Sequence, residues 1–207
     1  MALPLRDFVQ QVLLENGRAS KIYDAVDAGW SKAKEKYPER ARWLRKSTFR
    51  GLVWEAVVNE LHQCTFDDAG FDLVSHRDTA SFVLEDSVLF RFKHADVSLT
   101  TSTYPTIEAR SFDDHAVDLY GYTGLQRVEL CYVLNEFETD IVWTGISARS
   151  QGEWLWKIEL SSSGIVQDVQ DMLPLDNEEL NIEKLANLKS MRTDTASEDK
   201  KKNDGEL

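Results

Sequence analysis

The densest group of side chains able to do chemistry is Asp113, Asp114 and His115, with Asp118 three residues further on. Carboxylates and an imidazole together can form a hard-metal site of the hydrolase or nuclease type. Adjacent residues point to opposite faces of a strand, and on a loop they commonly form a solvated turn. Metal binding by Asp113, Asp114 and His115 is therefore an alternative interpretation, beside that of a polar connector.

A second group lies between residues 32 and 50, where basic side chains are interleaved with aromatic ones. This pattern is typical of nucleic-acid contact through phosphate pairing and base stacking. Helical spacing places Trp30 in a core stripe, however, and Glu35 and Glu39 dilute the positive charge. We predict contact with a partner protein or a second copy of the chain, and a solvated helix and a nucleic-acid site remain alternatives. The residues predicted to bind the partner are Lys36, Arg40, Arg42, Trp43, Arg45 and Lys46.

Signatures of the common enzyme classes do not occur elsewhere. The sequence contains no GxSxG, HExxH or Walker A pattern. Its two cysteines, Cys64 and Cys131, form neither a CxxC pair nor a disulfide framework. We therefore predict a non-enzymatic protein without a cofactor, and we keep a metal-assisted hydrolase or nuclease-like toxin as the alternative.

Charge is distributed very unevenly along the 207 residues, whose net charge is −12. Residues 1–50 hold 11 basic and 6 acidic side chains, whereas residues 51–207 hold 13 basic and 30 acidic ones. This excess of negative charge disfavours extensive contact with nucleic acid or anionic lipid. Arg6 and Asp7 interrupt any N-terminal signal sequence, and no run of 18 apolar residues occurs. We expect a soluble cytoplasmic protein that does not bind membranes.

Helical spacing of apolar residues predicts three amphipathic helices within residues 1–64. Gly17 is placed where the first helix should stop. The pair Tyr37 and Pro38 should end the second helix, because the residue before proline avoids the α conformation. Ser47 is the predicted N-cap of the third helix.

From about Phe66 the apolar period changes to two, which indicates half-buried strands. The alternation predicts an antiparallel meander over residues 126–161, with a hairpin turn at 150–152. Within its last strand Trp154 and Trp156 should share one face with Ile158 and Leu160, most often a core face. If that face were uncovered, it would be a protein-binding surface.

These elements predict an α+β fold in which N-terminal amphipathic helices pack on an antiparallel sheet. Residues 1–64 form the helical segment, and residues 65–165 form the sheet region of the same domain. Residues 166–191 are predicted to be a linker with a short helix. Residues 192–207 have little to bury and are predicted to be a disordered tail of mixed charge.

Three stretches of the sheet region carry a resemblance to known proteins: STYPT at 102–106, RVELCYVLNEFETDI at 127–141 and GEWLW at 152–156. They resemble small bacterial proteins of toxin–antitoxin and phage-defence modules, encoded beside XRE-type repressors or zincin-like peptidases. The resemblance implies a cytoplasmic protein that acts with a partner encoded nearby. The missing catalytic motifs, the acidic body and the basic aromatic segment favour the neutralising or regulatory member of such a pair. It brings no catalytic signature and assigns no functional residue.

Overall fold

The fold is described from a computed structural model. It describes residues 3–76, 79–101, 106–115, 118–150 and 153–166. The predicted linker and short helix at 166–191 lie outside the described residues, apart from residue 166. The predicted tail at 192–207 and residues 151–152 of the predicted hairpin turn also lie outside them.

Three helices form the first part of the chain, as the apolar spacing predicts: α1 (Arg6–Leu14), α2 (Arg18–Lys36) and α3 (Lys46–Phe66). Gly17, at a left-handed φ of 66°, separates α1 from α2. The prediction that Ser47 caps α3 is wrong, because the helix begins after Arg45 and has no side-chain cap. Among the described residues, no helix has both the length and the apolar composition needed to cross a membrane.

The described strands form one seven-stranded sheet whose order follows the chain. Neighbouring strands are antiparallel except β3 and β4, which are parallel because the connection between them, with the short helix α4 (Ile107–Asp113), crosses from one end of the sheet to the other. The α+β prediction and the meander of three strands after residue 126 are confirmed. The strands are β1 (Phe71–His76), β2 (Thr79–Leu84), β3 (Val88–Ala95), β4 (Gln126–Leu134), β5 (Ile141–Ser150), β6 (Glu153–Ser161) and β7 (Gly164–Ile165).

The helices cover one face of the sheet and bury the main core between the two layers. Phe82 and Phe90 stack with ring centroids 5.3 Å apart, and Phe92 stacks on Tyr132 at 5.1 Å. Each such fully buried side chain contributes about 1.5–3 kcal/mol of burial energy. Gly29 lets α2 and α3 approach closely, since a Cβ there would lie 2.6 Å from the Val57 side chain.

A buried ion pair joins the start of α2 to the connection between α3 and β1. Arg18 is fully buried and donates to Asp68 through Nε at 2.7 Å and through Nη2 at 3.0 Å. Its Nη2 also contacts Glu85 in the β2–β3 turn. The Arg18 guanidinium lowers the pKa of the Asp68 carboxyl, although burial opposes this shift. Charge pairing therefore fixes three segments against one another at one end of the core.

The opposite face of the sheet carries two small apolar clusters with polar side chains between them. One cluster lies beneath α4, where the Arg91 guanidinium stacks 4.5 Å above the Phe112 ring. The second lies at the other end of the strands, and Leu99 and Trp143 pack against it. The buried members are Val83, Leu89, Phe112 and Leu125 in the first cluster, and Ala95, Cys131 and Val133 in the second.

Trp154 and Trp156 lie on opposite faces of β6, so the prediction that they share one face is wrong. Trp156 pairs with Ala148, but Trp154 pairs with Arg149, and Leu155 is left as an extra residue in a β-bulge. A bulge shifts the alternation of the side chains that precede it. Trp156 consequently packs against the helix-covered core, whereas Trp154 is 49% exposed on the other side.

Candidate partner-binding site

The aromatic residues of the basic segment point into the molecule. Trp30 and Phe49 are buried, with ring centroids 5.5 Å apart. Trp43 is half-buried and contacts the rings of Tyr37 at 5.8 Å and Phe49 at 6.4 Å. These rings therefore serve as core, and they are not a free platform on which nucleic-acid bases could stack.

Arg40 holds the end of α2 in place. Its Nη1 donates to the carbonyl oxygens of Lys34 at 3.1 Å and Tyr37 at 3.3 Å. Its guanidinium also lies 5.2 Å from the centre of the Phe49 ring, within the range of a cation–π contact. A basic residue at a helix C-terminus satisfies free carbonyl groups and interacts favourably with the helix dipole. Arg40 thus combines a structural role with a position beside the surface groove described below.

Two basic side chains of the region are paired with the turn between β4 and β5. Lys34 Nζ lies 2.8 Å from Asp140 Oδ1, and Arg50 Nη2 lies 2.7 Å from Glu138 Oε1. These pairs hold the turn against the helices. The acidic part of the chain therefore takes up a portion of the positive charge.

Four other basic residues remain exposed. Lys36 lies at the end of α2, with Nζ 5.7 Å from the Tyr37 ring centre. Arg42, Arg45 and Lys46 precede or begin α3, and none of these four forms an ion pair with the described residues. The first turn of α3 contains no acidic residue. Cations at a helix N-terminus are disfavoured by the dipole, so this charge is not explained by the stability of α3.

A groove of about 150 Å³ lies between residues 38–49 and the β4–β5 turn. Arg40, Arg45 and Lys46 line it together with Phe137 of the turn. Phe137 is 76% exposed, and nearby in the sequence Leu44 is fully exposed. The groove thus combines positive charge that has no ion-pair partner among the described residues with an exposed aromatic ring, and we call it the basic groove. Its lining residues are Pro38, Arg40, Ala41, Arg45, Lys46, Phe49, Phe137, Glu138 and Thr139.

The residues of the alternative metal site lie at the end of α4. The carbonyl oxygen of Asp114 accepts from Arg127 Nη1 at 2.6 Å, and His115 Nε2 lies 3.1 Å from the carbonyl oxygen of Arg149. Asp113 is exposed. Within the described ranges, no three side chains of histidine, cysteine, aspartate or glutamate gather in a metal-binding arrangement. The described contacts of Asp114 and His115 join the end of α4 to the sheet.

One buried carboxylate was not singled out by the sequence pattern. Glu129 on β4 is only 7% exposed and accepts a hydrogen bond from Thr101 Oγ1 at 2.9 Å. Thr101 Oγ1 in turn accepts from Arg149 Nη1 at 2.9 Å. Burial raises the pKa of Glu129, and the Thr101 hydrogen bond, Lys93 and Arg149 oppose that shift. This group joins the chain before α4 to β4 and β5.

Sequence reasoning found the basic half of the groove but missed Phe137. The sequence feature that could have identified Phe137 is the acidic stretch Glu136 to Asp140, which holds one aromatic residue between two apolar strands. Three of the six predicted residues line the groove: Arg40, Arg45 and Lys46. Comparisons of the chain with protein-family models, with curated proteins and with solved structures give no match.

Proposed function

We propose that the protein is a non-enzymatic interaction component that binds an acidic segment of a partner protein in the basic groove. The observation that carries this proposal is the exposed Phe137 ring facing the same groove as Arg45 and Lys46. Charged residues around a groove steer a partner of opposite charge toward it. A buried aromatic contact then slows its dissociation.

The charge of the partner follows from the pairing pattern around the groove. Glu138 and Asp140 are already paired with Arg50 and Lys34, whereas Arg45 and Lys46 have no acidic partner among the described residues. The N-terminus of α3 adds the positive end of its dipole at the same place. An acidic segment would supply the missing counter-charge, and an apolar side chain in it would cover Phe137.

The inward aromatic rings argue against nucleic acid as the occupant. Base stacking contributes much of the affinity for single strands, and it needs accessible ring faces. Trp30 and Phe49 are buried, and Tyr37 and Trp43 pack on the core. Among the described residues that line the groove, Phe137 is the one strongly exposed ring. The proposal therefore favours a protein partner.

The test is affinity capture from the native host at physiological salt, followed by measurement of the dissociation constant for the protein recovered. One stoichiometric partner with an acidic segment is expected. Phe137→Ala should weaken binding by at least about tenfold, as expected for an aromatic anchor. Phe66→Ala is the matched control, because Phe66 is also strongly exposed, at 70%, but lies at the end of α3.

Two charge-reversal variants distinguish electrostatic steering of association from the aromatic contact that slows dissociation. Lys46→Glu should slow association and reduce its dependence on salt, since it removes an attractive charge at the groove. Arg110→Glu changes the net charge equally, on the exposed surface of α4, and should leave binding intact. Equal binding by the wild type and by the Phe137 and Lys46 variants would contradict the proposal, as would the absence of any companion protein.

The resemblance to toxin–antitoxin and phage-defence proteins supports a narrower form of the proposal. In this form the protein is cytoplasmic, and it neutralises or regulates a partner encoded nearby. The product of the adjacent gene, expressed alone, should slow growth, and co-expression with this chain should restore it. Failure of the Phe137→Ala variant to restore growth, together with rescue by Phe66→Ala, would tie neutralisation to the groove. Undiminished toxicity in the presence of the wild-type chain would exclude a neutralising role.

A further inference from the structure

A second concave surface lies on the sheet face that is turned away from the helices. It is a pocket of about 460 Å³, bounded by the loop after β3, by the adjoining ends of β4 and β5, and by β6. Pockets of this volume with mostly apolar walls are the usual sites for small molecules. We define the indole pocket by its lining residues Val97, Ser98, Leu99, Val133, Val142, Trp143, Trp154 and Lys157.

The two indole rings reach the pocket for different structural reasons. Trp154 reaches it because the bulge at Leu155 turns its side chain away from the helix-covered core. The Trp143 ring lies across Gly145, where an added Cβ would be 2.5 Å from the ring carbon Cζ2. Gly145 thus leaves the space that a flat aromatic wall needs. Both features depart from the regular strand pattern and both shape the same pocket.

Hydrogen bonding does not account for the position of Trp143. Its indole N–H is buried and has no acceptor among the described residues. A buried donor without a partner carries a free-energy cost, and such groups are rare in folded proteins. Among the described residues only packing contacts hold this ring, so its position can respond to a molecule that enters the pocket.

The polar groups of the pocket indicate the charge of its ligand. Lys157 is exposed and, among the described residues, supplies the one charged side chain of the lining. It forms no ion pair with the described residues. Ser98 supplies a hydroxyl, which is engaged with Asp96 and Thr100 of its own loop. The charge that the described lining leaves without a partner is therefore one positive charge. The ligand that complements it has one negative charge beside an apolar body.

We propose that the indole pocket binds a small amphipathic acid, with its hydrocarbon or aromatic body against Trp143 and Trp154 and its carboxylate beside Lys157. The apolar lining contributes the larger part of the binding energy, because it removes ligand surface from water. The Lys157 ammonium contributes less, since it is exposed and its charge is screened. It does determine that an acid is preferred to a neutral or cationic molecule of the same shape. This site is separate from the basic groove and does not depend on the proposed protein partner.

The probe is decanoate, titrated into the full-length protein labelled with ¹⁵N, with the six tryptophan indole N–H signals as the readout. Saturable shifts limited to the signals of Trp143 and Trp154 are expected. Each signal is assigned by the loss of one peak in Trp143→Phe and Trp154→Phe. Decanol at the same concentration should bind more weakly, and decylamine more weakly again.

Two variants separate the apolar and the charged contributions. Trp154→Ala should weaken decanoate and decanol alike, by about tenfold. Lys157→Gln should weaken decanoate by about fivefold and leave decanol unchanged. Phe137→Ala is the control in the basic groove and should bind decanoate as the wild type does. Circular dichroism and thermal melts check that each variant is folded.

Several results would overturn the proposal. Shifts that do not saturate would mean that decanoate only adsorbs to apolar surface. Equal affinity for decanoate and decylamine would remove the role of Lys157. If instead Trp154→Ala abolished capture of the protein partner and decanoate did not bind, the pocket would be part of a protein interface. If decanoate bound and no protein partner were found, the pocket proposal would stand while the proposed function failed.

Discussion

The two faces of the sheet are built on different principles. The helix-covered face is closed by α1, α2 and α3 and filled with interlocking aromatic rings such as Phe71, Phe82 and Phe90. The opposite face is covered only in part, and the buried polar residues Arg127 and Glu129 lie between its apolar clusters. The first face holds most of the buried apolar side chains. The second face has spare concave surface and charge, which are needed for binding.

The difference shows how one sheet can be both a stable platform and an open surface. A central strand buries side chains on both faces only where both are covered, and here cover on the second face comes from the crossover that holds α4. Arg127 fastens that cover through the carbonyl groups of Ser111 and Asp114, at 2.7 Å and 2.6 Å. The part of this face that α4 does not cover is open to solvent at Trp154.

The largest effect is expected from a cavity in the helix-covered face. Phe90→Ala removes a fully buried ring that contacts Phe71 and Phe82, and it should destabilise the protein by about 3–5 kcal/mol. Val97→Ala, at an 86% exposed position of the opposite face, should change stability by no more than about 0.5 kcal/mol. Urea denaturation measures both. Similar losses for the two variants would contradict the stated division between the faces.

The second largest loss of stability is expected when the Arg18–Asp68 ion pair at the end of the helix-covered core is broken. Asp68→Asn leaves the buried Arg18 with a neutral partner and should cost about 3 kcal/mol at neutral pH. The pKa of Asp68 is lower in the folded protein than in the unfolded chain. Its stabilisation is therefore complete above the unfolded pKa of about 3.9 and is lost as the pH falls through the folded value.

The stability difference between the wild type and Asp68→Asn should accordingly shrink below about pH 4. Denaturation at a series of pH values measures this difference. Arg18 also contacts Glu85, whose side chain is 45% exposed, and Glu85→Gln should cost less than Asp68→Asn. A difference between wild type and Asp68→Asn that stays constant down to pH 2 would show that the carboxylate charge contributes nothing.

The smallest effect on stability is expected from a substitution of Glu129 on the partly covered face, and it is a gain where the previous two substitutions cause a loss. Burial raises the pKa of Glu129, so the charged carboxylate is disfavoured in the folded protein. Its cost grows as the pH rises from the unfolded value of about 4.3 through the higher folded value. Glu129→Gln keeps an acceptor for the Thr101 hydroxyl and should be slightly more stable than the wild type at neutral pH.

That gain should disappear as the pH falls below the unfolded pKa, because Glu129 is then protonated in both states. Thermal melts of the two proteins at pH 4 and pH 7 provide the comparison. A wild type more stable than Glu129→Gln at pH 7 would mean that Lys93 and Arg149 outweigh the burial of the carboxylate. The partly covered face would then be stabilised by charge pairing, as the Arg18 site is.

Local patterns accounted for most of the fold and for half of the candidate site. The spacing of apolar residues predicts three helices and a meander because each helix buries one stripe and each strand one face. That requirement fixes the apolar period within the segment itself. The basic half of the groove is likewise visible as a run of positive side chains. The aromatic half of the groove is the single residue Phe137, which lies in a turn where no hydrophobic periodicity identifies it.

By itself, the sequence determined the three N-terminal helices, the strands of the meander and the stretch that is positively charged, but it did not predict α4. The tertiary structure alone decided that β3 and β4 are parallel, and that Lys34 and Asp140, 106 positions apart, form an ion pair. It also decided that one extra residue at Leu155 turns Trp154 away from the core. Periodicity reports the faces of a regular element, whereas strand register and long-range charge pairing arise only when distant segments meet.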